Sequence, residues 1–309
     1  MTAYEKPEVA MNDIESLLRS QLGPGAVEIT PMDGGNMSNV YSFRIADQGF
    51  VVKFSDLDGA YATDQFVSNL LSGHDIPFPR CLASGQFGLL NYIIMERMQG
   101  HNLSECSMEE QEQQLPELFR LLTNLANVDI RSTNGYGWIG SDGNGAYGSW
   151  RDFVAAAYAE DQTGTFWENW HDLFQTTFLE RDIFEEVYNR LMSWLTYNES
   201  NRSFVHGDFH QWNVLSDGTR ITGIIDGNCM YGDPVVDLAV LDRHMPWMGM
   251  IETYENYLAK ENIVIPYLRE RLIGAYYYKG LDGLRFYAKM GWKDAYDETR
   301  AFLLNLKSY

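Results

Sequence analysis

The feature of this sequence that most constrains its fold is a polar loop between two short apolar segments. Residues 206–213 read H-G-D-F-H-Q-W-N, and residues 224–226, which end the second apolar segment, read I-I-D. Asp208 offers a carboxylate for a hydroxyl proton, Asn213 a neutral oxygen ligand and Asp226 an anionic one. Phosphoryl transfer from Mg–ATP needs these three functions together. The spacing therefore predicts a hairpin that transfers a phosphoryl group to a hydroxyl.

Two simpler interpretations of this segment are weaker. Each aspartate alone could cap a loop or a helix, but the ordered set in one strand–loop–strand context favours shared chemistry. His206 and His210 are four residues apart, a spacing that binds zinc when it occurs on a helix. Gly207 lies between them in a strand-to-loop segment, and no third His or Cys has a useful spacing. We therefore expect no zinc site here.

Composition and charge restrict the class of protein. The chain has 309 residues, 45 % of them hydrophobic, which suits about two lobes with full cores. The formal net charge of −20 disfavours nucleic acid as a partner and suits a polycationic ligand, although an acidic surface also aids solubility. Three cysteines without a C-x-x-C pair and an N-terminus without a secretion signal predict a cytoplasmic location. Without a long apolar run or a heptad repeat, we expect a monomer with no membrane contact.

The first hundred residues predict a β-rich unit with little helix. A helix capped near residue 12 is stopped by the G-P-G of residues 23–25. An antiparallel meander over residues 27–54 follows, and its first turn is rich in glycine. A short helix over residues 61–71 and a buried strand over residues 89–95 complete this unit.

The remaining residues predict a mainly helical unit. Ser107 and Glu110 form a capping-box pair for a helix that runs to about residue 127. Pro116 either kinks this helix or occupies its first turn. Further patterns cover residues 150–160, 180–197 and 266–306 as helices and residues 203–206 and 222–225 as strands. The expected fold class is α+β, with lobes at residues 1–98 and 99–309 and a linker at about residues 96–100.

The H-G-D-x-x-x-x-N and I-D motifs, in this order, resemble those of the aminoglycoside phosphotransferases, which share the protein-kinase fold. The resemblance implies a bilobal kinase-like fold, with an antiparallel sheet and a helix in the first lobe and a larger helical second lobe. It makes Asp208 the catalytic base or hydroxyl-orienting group, and Asn213 and Asp226 the Mg²⁺ ligands. His206 would be a structural residue of the loop, and Asp237, in a G-D-P-x-x-D segment, would brace it.

The same resemblance implies a site for ATP or GTP in the first lobe. A turn with Gly35, Asn36 and Ser38 would cover the triphosphate with backbone N–H groups. Lys53, in the apolar segment F-V-V-K-F, would contact the α- and β-phosphates, and a place on the solvent face of a hairpin is its alternative. Asp64 stands where the usual partner of this lysine is a glutamate, so a longer or water-bridged pair is expected.

Two further assignments concern the linker and the start of a helix. By resemblance, backbone groups near Glu96 and Met98 would hydrogen-bond adenine. For Asp233, capping of a helix that begins at Pro234 is a sufficient explanation.

Segments outside the catalytic motifs look like those of the hygromycin B phosphotransferases. They are residues 58–61 (D-G-A-Y), residues 135–153 and the aromatic run of residues 166–170. This likeness implies phosphorylation of a hydroxyl on a cationic aminocyclitol antibiotic.

Such a substrate should contact carboxylates and aromatic faces, for which we name Asp242, Asp282 and Trp247. A kinase of the same fold that acts on choline, homoserine, a sugar amine or methylthioribose stays open, because an acidic site would also suit choline. A nucleotide-binding protein without catalysis is the third possibility. The intact catalytic set argues against it.

Overall fold

The computed structural model describes residues 6–32 and 37–306, and its first part is built on a five-stranded antiparallel sheet. Its elements are α1 (Met11–Leu22), β1 (Ala26–Met32), β2 (Asn39–Ile45), β3 (Gln48–Ser55), α2 (Asp64–Leu71), β4 (Cys81–Phe87) and β5 (Leu90–Glu96). The strands follow the order β1-β2-β3-β5-β4. The predicted meander is present, but residues 33–36 of its Gly-rich turn lie outside the described residues.

The α1 helix covers one face of this sheet. Side chains alternate between the two faces of a strand, so Val52 and Phe54 of β3 share a face. They are buried in one cluster with Ile14 and Leu18 of α1. Lys53 therefore points to the opposite face, and only 13 % of its side chain is exposed. A position on the solvent face of the hairpin is thus wrong for this lysine.

Beyond the linker the chain is mainly helical, as the sequence pattern predicts. Its strands are β6 (His101–Asn102), β7 (Tyr136–Ile139), β8 (Gly145–Tyr147), β9 (Ser203–Val205), β10 (Val214–Ser216), β11 (Ile221–Ile224) and β12 (Met230–Gly232). Its helices are α3 (Met108–Ala126), α4 (Trp150–Ala157), α5 (Leu173–Thr176), α6 (Arg181–Trp194), α7 (Val235–His244), α8 (Met250–Lys260), α9 (Leu268–Met290) and α10 (Lys293–Asn305). Two small sheets have the orders β11-β10-β6 and β8-β7-β12-β9.

Local signals explain the limits of the main helices. Ser107 caps α3 through a complete capping box, in which the Glu110 carboxylate accepts the Ser107 N–H at 2.7 Å. Pro116 consequently lies inside α3 and not in its first turn. Gly291, with φ +74°, ends α9 in the left-handed conformation and separates it from α10. Within residues 6–32 and 37–306, no helix combines the length and apolar character that a membrane span requires.

Capping proves an incomplete explanation for Asp233. Its carboxylate does accept the Val235 N–H at 3.0 Å, but Pro234, not Asp233, is the residue that immediately precedes the helix. The carboxylate is fully buried and accepts two hydrogen bonds from Arg271 of α9, at 2.6 and 2.9 Å. Asn198 donates a third at 2.8 Å. Asp233 therefore joins the start of α7 to α9 through a buried ion pair.

Candidate active site

Unusual backbone conformations bring the polar loop against the segment that follows β11. Gly207 has φ +79°, and a Cβ there would lie 2.2 Å from the carbonyl oxygen of Asn228. Only glycine permits this approach of the two segments. Asp226 also lies in the left-handed region, with φ +58°. Non-glycine residues in that region are uncommon and concentrate at functional sites.

One oxygen of the Asp208 carboxylate is held by the loop, and the other is left for a substrate. Asn213 donates from Nδ2 to Oδ2 of Asp208 and to its carbonyl oxygen, both at 3.0 Å. His210 Nε2 lies 3.3 Å from the same Oδ2. Oδ1 accepts no hydrogen bond from any described residue, and 40 % of the side chain is exposed. The geometry thus offers Oδ1 as the hydrogen-bond acceptor for a hydroxyl.

Charges around Asp208 keep this carboxylate ionised. Burial acts to raise its pKa, but the hydrogen bond from His210 and the nearby charge of Lys279 outweigh that effect. The net result is a pKa well below the ordinary range of an aspartate. Such a weak base orients a hydroxyl more readily than it removes its proton in advance.

The loop is held in place from α7 and from α9. Asp237 of α7 is buried and accepts the backbone N–H groups of His206 at 2.8 Å and Gly207 at 2.7 Å. Burial raises the pKa of Asp237 to about 7, against the lowering effect of these two bonds. Lys279 of α9 donates to the Gly207 carbonyl oxygen at 2.8 Å. Burial also lowers the pKa of His206 to about 4, so this imidazole is neutral at pH 7.

Asn213 and Asp226 form an oxygen donor set that fits Mg²⁺. Because Nδ2 of Asn213 is used by Asp208, its amide oxygen is directed elsewhere, and it meets no donor within the described part of the chain. Asp226 adds an anionic oxygen, and its side chain is 40 % exposed. Amide and carboxylate oxygens are the hard ligands that Mg²⁺ prefers, with phosphate and water completing the octahedron.

Lys53 lies at this donor set and not in a direct pair with Asp64. Its ammonium group forms an ion pair with the Asp226 carboxylate. Asp64, the first residue of α2, is half-buried, and burial raises its pKa while the nearby Lys53 lowers it. Among the described residues no ion pair joins Asp64 to Lys53. Asp64 thus lies near enough to sense the charge of Lys53 without a direct ion pair, and its pairing with this lysine stays a prediction.

The remaining nucleotide candidates lie around the sheet and the linker. Gly35 and Asn36 fall outside the described residues. Ser38 follows them, and its hydroxyl is hydrogen-bonded to the Tyr61 hydroxyl at 2.6 Å, which ties the turn to the segment before α2. The functional role of the turn stays a prediction.

At the linker, the Glu96 side chain is engaged and one backbone N–H group is left without a partner. The Glu96 carboxylate accepts a hydrogen bond from Arg80 at 3.1 Å, and the Glu96 N–H donates to the Arg80 carbonyl oxygen. The N–H of Met98 has no hydrogen-bond partner in residues 6–32 and 37–306. Its side chain packs on Gly223 of β11, where a Cβ would come within 2.9 Å of it. A free N–H in an extended linker is the kind of donor that a purine ring nitrogen can accept from.

A cavity of about 1120 Å³ lies beside the linker, away from the catalytic loop. It is lined by the β2–β3 turn, the linker, α3 and the turn before β11. Asp208, Asn213, Asp226 and Lys53 are not among its lining residues. The linker residues Glu96 and Met98 do line it, so the cavity belongs to the surroundings of the linker.

The three candidates for acceptor binding have different surroundings. Asp242 accepts a hydrogen bond from the Tyr276 hydroxyl at 2.5 Å, and burial raises its pKa. Asp282 is 31 % exposed and accepts from Arg285 through Oδ1 at 3.0 and 3.2 Å. Trp247 is 51 % exposed. Asp282 and Trp247 thus keep surface for a ligand, whereas Asp242 is largely committed to the fold.

Sequence reasoning missed Lys279, Arg285 and the contact between His210 and Asp208. Arg285 is almost fully buried, and its guanidinium stacks over Trp167 at 3.9 Å while it holds Asp282. Lys279 follows three buried tyrosines in α9, and a lysine in such a run could have signalled a partner. His210 carried no such signal, because the loop gives no periodicity from which to infer where its ring points.

Fold and loop geometry together define a kinase-type phosphotransferase: a five-stranded sheet carrying a lysine, a helical second part and an Asp–Asn–Asp oxygen set between them. The model of the phosphotransferase enzyme family (APH) matches residues 28–271. The chain belongs to this family, and it is a phosphotransferase with an alcohol group as acceptor.

Known relatives of this chain act on antibiotics. The hygromycin-B 4-O-kinase of Escherichia coli is 27 % identical over 260 residues, which are 84 % of this chain and 74 % of the relative. A crystal structure of a thermostable mutant of aminoglycoside phosphotransferase APH(4)-Ia, in a ternary complex with AMP-PNP and hygromycin B, has a TM-score of 0.78. It is 26 % identical, with 94 % of this chain and 96 % of that chain covered. A spectinomycin phosphotransferase, APH(9)-Ia, at 12 % identity and a TM-score of 0.64 over 97 % and 99 % of the two chains, shares the fold.

Proposed function

We propose that this chain phosphorylates a hydroxyl of an aminocyclitol antibiotic, with hygromycin B as the first candidate and ATP as the phosphoryl donor. The observation that carries the proposal is the free Oδ1 of an ionised Asp208 beside the oxygen set of Asn213 and Asp226. The similarity to a hygromycin-B 4-O-kinase over most of the chain supports the choice of acceptor.

In the proposed mechanism Asp208 acts on the acceptor hydroxyl. Oδ1 accepts its hydrogen bond and so turns an oxygen lone pair toward the γ-phosphorus. A new O–P bond forms as the bond between the γ-phosphorus and the bridging oxygen of ADP breaks, in line and without a phospho-enzyme. Because the carboxylate is a weak base, the proton moves to Asp208 only late, when the attacking oxygen has become acidic.

The other residues would bind the nucleotide. Mg²⁺, held by Asn213 and Asp226, would offset the negative charge of the phosphates. Lys53, whose ammonium group forms an ion pair with Asp226, would contact the α- and β-phosphates. Linker backbone at Glu96 and Met98 would bind the purine, and this leaves the choice between ATP and GTP to experiment.

Surface carboxylates would receive the amines of the acceptor. Asp282 has one oxygen held by Arg285 and the other without a hydrogen bond from the described residues, so it can accept from an ammonium group. The net charge of −20 adds a long-range attraction for a polycation. A metabolite kinase remains the second candidate, because a small cation such as choline would be attracted equally.

The decisive experiment measures ADP release by the purified protein with Mg–ATP and one acceptor at a time. We expect turnover that depends on hygromycin B and that exceeds the rate with choline, homoserine or methylthioribose. Turnover with a metabolite alone would retain the mechanism and refute the acceptor. Nucleotide binding without ADP formation in the presence of any acceptor would refute the catalytic role.

Loss of either metal-binding candidate should change the dependence on magnesium. For Asp226→Ala and Asn213→Ala we expect the Mg²⁺ concentration at half-maximal rate to rise by ~10-fold or more, the larger effect at Asp226, because its anionic oxygen is lost. Asp47→Ala, at a fully exposed position, is the matched control. A magnesium titration of Asp226→Ala that superimposes on the wild-type curve would contradict the assignment.

A further inference from the structure

Trp212 is an exposed aromatic residue inside the catalytic loop. Its side chain is 48 % exposed, whereas Phe209, in the same loop, is fully buried. The loop connects the buried strands β9 and β10. A tryptophan needed only for packing could therefore point toward the core next to these strands. An exposed aromatic ring in the loop that carries Asp208 is a surface on which a ligand can pack.

Two histidine rings fix the orientation of Trp212. The Trp212 ring stands edge-on to His210, with centroids 5.4 Å apart, and edge-on to His244, at 5.5 Å. His210 and His244 are themselves 4.8 Å apart. Both the ring and the backbone of His244 are held. Its Nδ1 contacts the Val240 carbonyl oxygen at 2.8 Å, and its own carbonyl oxygen accepts a hydrogen bond from the Gln211 side chain. We call His210, Trp212 and His244 the aromatic cluster.

The aromatic cluster adjoins the catalytic carboxylate directly. His210 Nε2 lies 3.3 Å from Oδ2 of Asp208, so one member of the cluster touches the residue that holds the acceptor hydroxyl. Trp247 follows His244 by three residues and is 51 % exposed. The segment that carries His244 thus also carries a second exposed indole.

We infer that Trp212 is a specificity-determining residue, whose exposed face receives the apolar face of the acceptor ring next to the phosphorylated hydroxyl. This inference rests on the proposed function and deepens it. Sugar and cyclitol rings present C–H groups on one face, which pack on aromatic rings, and nearby ammonium groups add a cation–π attraction. Because His210 and His244 hold the indole, the ring would be oriented before the acceptor binds.

The test compares Trp212→Ala and Trp212→Phe with wild type in steady-state assays with hygromycin B. We expect Trp212→Ala to raise the KM for hygromycin B by about tenfold, the effect of one lost aromatic contact, with kcat and the KM for ATP within twofold of wild type. Trp212→Phe should recover most of the loss. Trp194→Ala is the matched control, because Trp194 is a half-buried tryptophan of α6 whose ring packs against Tyr197 instead.

The outcomes separate this inference from the proposed function. An unchanged KM for hygromycin B in Trp212→Ala refutes the inference alone. So does a fall in kcat with unchanged KM, because that pattern assigns Trp212 to the placement of Asp208 through His210. Wild-type protein that turns over no aminoglycoside refutes the proposed function and this inference with it. Thermal melting of each variant shows whether a change in KM reflects a loss of folded protein.

Discussion

The Asp208→Asn variant is expected to lose at least ~10²-fold in kcat while its affinity for ATP stays close to that of wild type. The substitution keeps the size of the side chain, removes its charge and replaces one of its two acceptor oxygens by an NH2 donor. Because Asn213 Nδ2 donates to the Oδ2 position, the amide oxygen is expected there and the NH2 group faces the hydroxyl. Nucleotide binding should survive, because Lys53 and the linker do not contact Asp208. Single-turnover rates measure the chemical step, and calorimetric titration with ATP measures the affinity.

Two further variants sharpen this test. Asp208→Glu retains a carboxylate but moves it by one methylene, so it should also be slow, since placement and not charge alone governs the step. Asp47→Asn changes the charge equally at a fully exposed position and should behave as wild type. Normal turnover by Asp208→Asn would show that another group orients the hydroxyl.

The geometry of the loop could be predicted from sequence because the candidate catalytic groups are close together along the chain. Asp208 and Asn213 are five residues apart, and the structure joins them by two hydrogen bonds within that short loop. The antiparallel meander followed from the turns between short β-like segments, and α3 followed from its capping box. Local rules suffice wherever the interacting residues are neighbours in sequence.

Contacts between distant segments could not be predicted in this way. Lys279 reaches Gly207 across 72 residues, and Lys53 reaches Asp226 across 173. A long lysine side chain could contact many different carboxylates or carbonyl groups. Which of them it contacts depends on the packing of α9 for Lys279 and on the packing of the sheet for Lys53. For the same reason, sequence patterns assign Asp233 only a capping role, since its partner Arg271 is 38 residues away.

The Asp233→Ala variant is expected to lose about 3–5 kcal/mol of unfolding free energy. Removal of this carboxylate leaves the Arg271 guanidinium buried without a counter-charge, because its side chain is only 7 % exposed. It also leaves the Val235 N–H without its side-chain acceptor and removes one of the two acceptors of Asn198 Nδ2, the other being the Arg271 carbonyl oxygen. Urea unfolding curves of the variant and the wild type, analysed with the same m-value, give the change in unfolding free energy.

A surface ion pair is the control for this prediction. Glu255 accepts two hydrogen bonds from Arg269 at 2.7 and 2.8 Å, a geometry as good as that of the buried pair, but both side chains are partly exposed. Glu255→Ala should therefore cost no more than about 1 kcal/mol. Equal losses in the two variants would show that burial of Asp233 does not set its contribution.

The Asp233 variant should also lose activity, since the pair joins the two helices that hold the catalytic loop. Asp237, which accepts the His206 and Gly207 N–H groups, lies four residues after Asp233. Lys279, which donates to Gly207, lies eight residues after Arg271 on α9. Loss of the pair removes the link between both supports, so kcat should fall even at temperatures where the variant is folded. A folded Asp233→Ala protein with wild-type kcat would show that each helix holds the loop independently.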